Sequence, residues 1–199
     1  MINGIILASK SKIRSALLLK AGIEFTVVDA SINEKKVKSY YVNEGYSARH
    51  VAGVLATMKA KKLSSKHPNK LVIGCDQIVE YHGQILSKAI KPTDLVDQLK
   101  VLRNNTHTLY SACAVYIANK EDWRFTGSAT VTMRNLSDEC IFNYVDSYWN
   151  EVKHCVGGYQ IENFGLSFLS KIDGDYFSIL GLPIIQLIDH LVSRGVLKH

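Results

Sequence analysis

Residues 72–81 read VIGCDQIVEY, a stretch that places an acid and an amide, Asp76 and Gln77, inside an otherwise apolar segment. The run at 71–75 is continuously apolar, which is typical of a strand covered on both faces of a sheet. Because an unpaired carboxylate is costly to bury, we expect Asp76 to lie half-shielded at the carboxyl end of this strand. Open α/β sheets bind ligands there. Asp76 would then hold Mg²⁺ or accept a proton from water, unless it forms a structural ion pair.

Strands and helices alternate on either side of this stretch, which predicts an α/β or α+β fold with a mixed sheet and an antiparallel section in the middle. The predicted strands are 5–8, 25–28, 71–75, 78–81, 84–86, 106–118, 124–133 and 166–172. The predicted helices are 11–19, one from Ser47 to before His67, one after Pro92, 137–148 and one starting near Pro183. Residues 33–45 are predicted to form a polar loop.

The 199 residues suit one domain, 1–199, with two closely packed lobes, because no linker separates them. There is no apolar run of 18 residues and no secretory signal, so we expect a cytoplasmic protein that does not span a membrane. The four cysteines are widely spaced and are expected to be reduced. The net charge of +6 indicates an anionic partner, and nucleic acid, a membrane surface and nucleotide phosphates are all open by this criterion. The scattered lysines argue against nucleic acid.

The segment ASKSKIR at 8–14 joins a short strand to a helix. Ser9, Ser11 and Arg14 would bring hydroxyls and a guanidinium to the helix start, where free backbone N–H groups also bind phosphate. The alternative is a serine-capped surface helix with a solvated arginine. The sequence lacks the glycines and the G-K-[ST] element of a P-loop.

Lys59 and Lys88, taken alone, are expected to be solvent-facing lysines. Two other features have two interpretations each. Glu34 is either a surface charge or a metal ligand. Gln160 and Glu162 would share one side of a strand or belong to a polar turn. The residues alone do not decide between these.

Six segments, in this order along nearly the whole chain, resemble the motifs of the Maf family of nucleotide pyrophosphatases. They are LASKSKIRSALL at 7–18, INE at 32–34, LATMKA at 55–60, VIGCDQIV at 72–79, GGYQIENFG at 157–165 and KIDGDYFSILGLP at 171–183. Asn33 departs from the family's usual Asp in the second of these. The resemblance implies an elongated, two-lobed α/β fold with a central cleft, similar to inosine triphosphate pyrophosphatases.

The resemblance also implies an activity: cleavage of a nucleoside triphosphate to a monophosphate and pyrophosphate with a divalent metal cation, Mg²⁺ or Mn²⁺. Asp76 would be the catalytic carboxylate and, with Glu34, would hold the metal. The residues implied to bind the phosphates are Ser11, Arg14, Lys59 and Lys88. Relatives are commonly homodimers, which implies the same assembly here.

Three positions distinguish subgroups of the family. Gln77 and Glu162 resemble the subgroup that acts on 7-methyl-GTP, whereas relatives acting on dTTP and UTP carry Thr and Gln there. Ile13 replaces the arginine of the dTTP/UTP subgroup. A carboxylate accepts hydrogen bonds from the N1–H and N2–H₂ donors of guanine, so we expect a purine-type or modified nucleotide. The alternatives are a dTTP/UTP pyrophosphatase and a cell-division interaction protein of the same family.

Overall fold

The computed structural model describes residues 2–197 as a mixed α/β fold, which confirms the predicted fold class. A single sheet of seven strands is covered by helices on both faces. The strands are β1 (Ile5–Ala8), β2 (Thr26–Val27), β3 (Leu71–Tyr81), β4 (Gln84–Ile85), β5 (Thr106–Ile117), β6 (Lys120–Met133) and β7 (Leu169–Gly174). The helices are α1 (Lys12–Lys20), α2 (Glu34–Asn43), α3 (Ala48–Ser64), α4 (Pro92–Leu102), α5 (Asp138–Val152), α6 (Tyr176–Leu180) and α7 (Ile184–Ser193).

The strand order is β2-β1-β3-β5-β6-β7, and β4 pairs with the far end of β3. The strands β2, β1 and β3 are parallel, whereas β3, β5, β6 and β7 run antiparallel, as the sequence predicts for the middle of the chain. None of the helices in the described part of the chain is long and apolar enough to span a membrane.

The structure corrects the prediction that Asp76 ends a strand. β3 runs without a break from Leu71 to Tyr81, so Asp76 lies in its middle and is only 4% exposed. The carboxyl end of a strand, where the ligand site was predicted, is here the end of β1. The register pairs Ala8, the last residue of β1, with Gly74, while β5 continues along the other side of β3. Asp76 therefore lies just beyond the carboxyl end of a neighbouring strand, not at the end of its own.

Two hydrophobic clusters cover the two faces of the sheet. On one face α3 packs through residues such as Ala56 and Ala60 against Val72 and Ile78. On the opposite face α1, α4, α5 and α7 contribute to a second cluster, which includes the alternate residues of β3. Because side chains along a strand point alternately to the two faces, Asp76 faces α3 and Gln77 faces the opposite side.

Gly74 brings α3 unusually close to the sheet. A Cβ on this residue would lie 2.2 Å from the carbonyl oxygen of Ala56 and 2.6 Å from the amide nitrogen of Ala60. Only glycine allows the helix backbone to approach a strand this closely. The contact holds Lys59, between these two alanines in the chain, directly over β3.

The predicted polar loop at 33–45 is wrong, because α2 forms there. Asn33 caps this helix by accepting a hydrogen bond from the Lys36 amide, and Val37 and Tyr41, four residues apart, pack on the cluster around α3. This i, i+4 pair was the sequence signal for the helix.

Other boundaries also differ from the prediction, for example the end of α5, which reaches Val152 instead of Tyr148. Residues 164–168 form a 3₁₀ helix, so the predicted strand 166–172 begins only at Leu169. β6 begins at Lys120 because the turn before it is shorter than predicted, with Ala118 and Asn119 both at positive φ.

Candidate active site

A buried lysine joins two carboxylates on the α3 face of the sheet. Lys59 Nζ lies 2.6 Å from Asp76 Oδ1 and 2.6 Å from Glu34 Oε1. The three groups come from α3, β3 and the first residue of α2. Asp76 Oδ2 is buried and has no hydrogen-bond partner among the described residues. One oxygen of the carboxylate is thus fixed by an ammonium, and the other is left without a partner in the described part of the chain.

Arg14 approaches the same part of β3 from the opposite face. Its Nε donates to the carbonyl of Gly181 at 2.7 Å, and its Nη1 donates to Ser9 Oγ at 3.1 Å and to the carbonyl of Cys75 at 3.3 Å. Lys59 Nζ also donates to the Cys75 carbonyl, at 3.4 Å. Two cations from opposite faces therefore meet at the backbone of β3 directly beyond the end of β1.

The start of α1 positions Arg14. Ser11 has extended backbone geometry at the N-cap, and its Oγ accepts a hydrogen bond from the Arg14 amide. Ser9 Oγ accepts from the Ser11 amide at 3.3 Å as well as from the guanidinium. The hydroxyls predicted as a phosphate cradle thus also hold the arginine in place.

The charges of this region influence one another. Partial burial lowers the pKa of Lys88, Glu34 and Asp76 oppose this effect, and Lys38 and Arg14 add to it. For Glu34, burial alone would raise the pKa, but the attraction and hydrogen bond of Lys59, with the charges of Lys38 and Lys88, bring it below its ordinary value. Glu34 is therefore held in its ionised form.

A cavity of about 120 Å³ opens on the other face of β3, beside Gln77. Charged side chains, Arg14, Lys88 and Glu162, line it together with apolar ones such as Ile13 and Leu109. Its lining is about as polar as it is apolar, so a ligand there would find both hydrogen-bonding groups and apolar surface.

Gln77 is held by the chain segment that precedes α7. Its Nε2 lies 3.0 Å from the carbonyl of Ser178, 2.9 Å from that of Ile179 and 3.1 Å from Ser111 Oγ. Ser111 Oγ itself donates to the Ser178 carbonyl at 2.6 Å. These acceptors fix the orientation of the Gln77 amide, so Oε1 is the atom turned away from the two carbonyls.

The α6 segment is further fixed by Asp175, whose carboxylate accepts from the amides of Phe177 and Ser178 and from Ser178 Oγ. Gly127 leaves room for that hydroxyl, since a Cβ there would lie 2.2 Å from Ser178 Oγ. The motif GDYFSILGLP is therefore a rigid wall that Gln77 and Arg14 both contact.

The structure brings the sequence-predicted residues together in two groups. Glu34, Lys59 and Asp76 form the ion pairs of the α3 face. The group around the cavity comprises Ser11, Ile13, Arg14, Gln77, Lys88 and Glu162. Glu162 lies in a turn and is exposed, so the strand interpretation of 160–162 is wrong and the polar-turn interpretation is correct.

Sequence reasoning missed several contributors. Ser111 and Ser178 position Gln77, and Tyr159 lines the cavity while its hydroxyl lies 2.5 Å from the Nε2 of His107. A serine inside the buried strand β5 was a signal that a polar partner existed nearby. His107 carried no such signal, because a single histidine in a strand is more often a core residue.

The family model described as "Maf-like protein" matches residues 4–194 of this chain. The chain belongs to the Maf family. The matched residues include all six motifs and extend over almost the whole of the given sequence. Every residue of the two groups above except Lys88 lies in one of these six motifs.

Individual Maf relatives align over nearly their full lengths. A protein of Roseobacter denitrificans named nucleoside triphosphate pyrophosphatase is 42% identical over 98% of both chains. A protein of Bartonella quintana named 7-methyl-GTP pyrophosphatase is 36% identical over 99% of this chain and 98% of its own. A crystal structure of a nucleoside-triphosphatase / dITP/XTP pyrophosphatase from Mycobacterium abscessus covers 96% of this chain and 95% of its own, with 14% identity and a TM-score of 0.38.

Proposed function

We propose that this protein is a nucleoside triphosphate pyrophosphatase, which hydrolyses the bond between the α- and β-phosphates and releases a monophosphate and pyrophosphate. The observation that carries the proposal is the state of Asp76. Buried Lys59 holds one carboxylate oxygen, and the other has no hydrogen-bond partner among residues 2–197. The relatives named as nucleoside triphosphate pyrophosphatases support the same activity.

Asp76 acts as the general base in this proposal. Its Oδ2 accepts a proton from water, the water oxygen forms a bond to the α-phosphorus, and the bridging bond to the β-phosphate breaks. In the free protein Lys59 holds Oδ1, which leaves Oδ2 as the oxygen that can accept the proton. A positioned general base contributes roughly 10²–10⁴-fold to the rate.

The cations stabilise the charge of the triphosphate and of the leaving pyrophosphate. Arg14 uses Nε and Nη1 for protein contacts, so Nη2 is the part of the guanidinium that remains for a phosphate oxygen. Lys88 and the Ser11 hydroxyl line the same cavity, and Lys59 lies at the carboxylates. Because Arg14 is already held by three hydrogen bonds, little side-chain entropy is lost when it binds.

A divalent cation, Mg²⁺ or Mn²⁺, fits the carboxylates of Asp76 and Glu34. The fit rests on the donor set, since the carboxylates of Asp76 and Glu34 both lie 2.6 Å from the same ammonium nitrogen of Lys59. The described residues contain no group of three or more His, Cys, Asp or Glu side chains that could hold a metal. One or two carboxylates completed by substrate phosphates and water are the usual ligands of Mg²⁺. When bound, the ion would neutralise phosphate charge.

The two groups of residues lie on opposite faces of β3, so the substrate must cross the edge of that strand. β1 stops beside Gly74 and leaves this edge open, with the Cys75 carbonyl held by Arg14 and Lys59. The base and sugar would occupy the cavity beside Gln77, and the phosphates would extend around the edge towards Asp76.

We further propose a purine-type base, with 7-methyl-GTP as a candidate. Glu162 offers a carboxylate to the cavity, and the fixed amide of Gln77 leaves its oxygen rather than its nitrogen free. Both groups then accept hydrogen bonds. Guanine presents the N1–H and N2–H₂ donors, whereas uracil presents a single N–H between two carbonyls. A dTTP/UTP pyrophosphatase is the alternative.

The test of the activity is pyrophosphate release from a panel of nucleoside triphosphates with Mg²⁺ or Mn²⁺. Asp76→Asn should reduce the rate by about 10²-fold or more. Asp146→Asn, on the exposed surface of α5, is the matched control and should leave the rate unchanged. An Asp76→Asn rate equal to that of the wild type would exclude Asp76 as the base.

The base is tested by Glu162→Gln, alone and combined with Gln77→Thr. Preference should shift from 7-methyl-GTP or GTP towards UTP and dTTP. The single variant is informative by itself because Glu162 is exposed, so its replacement should not disturb the fold. An unchanged order of substrates would refute the hydrogen-bond argument.

The remaining expectations concern assembly and location. We propose a homodimer in the cytoplasm, and light scattering of the purified protein measures the assembly. The cell-division alternative finds no support in the names of the relatives above, which describe pyrophosphatases.

A further inference from the structure

Lys59 fills the space between the two carboxylates proposed to hold the metal. Its ammonium is 2.6 Å from Asp76 and 2.6 Å from Glu34, and it is largely buried. A lysine on the adjacent turn, Lys62, reaches the surface instead and donates to the carbonyl of Ser31. The chain thus places a resident cation at the position where both acids converge.

The surrounding charges add to this effect. Glu34 and Asp76 supply two negative charges, whereas Arg14, Lys59 and Lys88 supply three positive ones. Lys38 is close enough to influence both Glu34 and Lys88. The region therefore has an excess of positive charge, which repels a free divalent cation and attracts a polyphosphate.

We infer that Lys59 excludes a free divalent cation from the Glu34–Asp76 pair, so that the metal enters the site together with the triphosphate. This inference rests on the proposed function and concerns the order in which its components bind. A triphosphate carries about four negative charges, so its metal complex is still an anion and suits the positive region. Its phosphates offer the ammonium of Lys59 a second set of acceptors, and the carboxylates then become available to the ion.

The decisive experiment omits the nucleotide. Binding of free Mn²⁺ to the full-length protein is measured by electron paramagnetic resonance for the wild type, Lys59→Gln, Lys59→Arg and Lys61→Gln. Lys59→Gln removes the charge but keeps a hydrogen-bond donor for the carboxylates, and it should bind Mn²⁺ at least about tenfold more tightly than the wild type. Lys59→Arg keeps the charge and should remain weak.

Lys61→Gln controls for the loss of a lysine as such, because Lys61 is exposed on the same helix. It should bind Mn²⁺ no better than the wild type. Thermal unfolding gives an independent readout, since an ion that binds only the folded state raises its stability. Mn²⁺ should raise the melting temperature of Lys59→Gln more than that of the wild type.

A second arm uses equilibrium dialysis of the wild type with Mn²⁺ and α,β-methylene GTP or α,β-methylene UTP, whose α–β linkage resists hydrolysis. Retention of Mn²⁺ should increase at least about tenfold with the analogue that binds, and the metal should increase the affinity for that analogue by the same factor. If Lys59→Gln does not fold, this arm alone decides.

The inference is overturned if the wild type binds free Mn²⁺ as tightly without nucleotide as with it, or if folded Lys59→Gln gains no affinity. Either result would leave the proposed function intact, provided that the wild type releases pyrophosphate. Absence of hydrolysis from every nucleotide would instead remove the proposed function, and the nucleotide-free titrations would still report on Lys59.

Discussion

Lys59 Nζ lies 2.6 Å from Asp76 Oδ1, and the two groups meet because Gly74 lets the backbone of α3 rest on β3. The pair is buried, and Glu34 completes it from α2. Removal of one partner from a buried ion pair lowers the free energy of unfolding of a protein by about 3–5 kcal/mol. The geometry of the proposed catalytic carboxylate thus depends on the close packing of a helix and a strand.

Gly74→Ala tests that packing. The added Cβ would overlap the backbone of α3, so we expect the free energy of unfolding to fall by about 1–3 kcal/mol. The rate of pyrophosphate release should fall too, because the displaced helix carries Lys59. Urea unfolding and the rate assay measure the two effects.

Gly53→Ala is the control within the same helix. A Cβ there would lie 3.7 Å from Thr126 Oγ1, an ordinary contact, and alanine favours a helix by up to about 1 kcal/mol relative to glycine. This variant should be as stable as the wild type or more so. Equal losses in both variants would show that the close approach at Gly74 is not the cause.

Arg14→Lys should destabilise the protein although the charge is kept. The guanidinium holds the Gly181 carbonyl, Ser9 Oγ and the Cys75 carbonyl at once, and an ammonium cannot reproduce this arrangement. Leaving buried acceptors unpaired costs about 1–3 kcal/mol. Urea unfolding measures the loss. Arg124→Lys, at an exposed ion pair with Glu121, should change stability by less than about 0.5 kcal/mol.

Gln77→Glu should also lower stability, because it replaces a donor by an acceptor opposite the carbonyls of Ser178 and Ile179. We expect a loss of about 1–3 kcal/mol in urea unfolding. Glu162→Gln is the comparison, since Glu162 is exposed and should lose little stability. If Gln77→Glu has the same urea midpoint of unfolding as the wild type, the Gln77 amide does not hold the α6 segment.

His107 predicts a pH dependence of stability. It is 2% exposed, and burial lowers its pKa from 6.5 to about 4. The unfolded chain therefore binds a proton at higher pH than the folded protein does, and stability falls as the pH decreases from about 6.5 to 4. The loss of free energy of unfolding reaches about 3 kcal/mol, at 1.36 kcal/mol per pKa unit. Above pH 6.5 there is no loss, because the imidazole is neutral in both states.

The measurement is urea unfolding of the wild type and His107→Gln across that pH range. The difference between the two proteins should shrink as the pH falls, because the variant has no imidazole to protonate. His82→Asn, at an exposed turn position with positive φ that asparagine tolerates, should follow the wild-type curve. A constant difference from pH 7 to 4 would contradict burial of a neutral imidazole.

The sequence determined most of the elements and supplied the candidate site residues. Periodicity located α3, capping and proline signals located α1 and α4, and a polar turn separated the two long antiparallel strands. These signals did not locate α2, whose few apolar residues are separated by lysines, the short helix α6 or the 3₁₀ helix at 164–168. The motifs predicted that Asp76, Arg14 and Lys59 belong to one site, and the structure brings all three to the same part of β3.

Only the tertiary structure decided how those residues act. Strand pairing ends β1 at Gly74 and opens the edge of β3 beside Asp76, and this length difference between neighbouring strands cannot be deduced from either strand alone. The alternation of side chains separates Asp76 from Gln77, and the packing of α3 converts an apparently solvent-facing lysine into the buried partner of two acids. Local patterns encode which face of an element is apolar; the distances across the sheet depend on contacts between residues far apart in the chain.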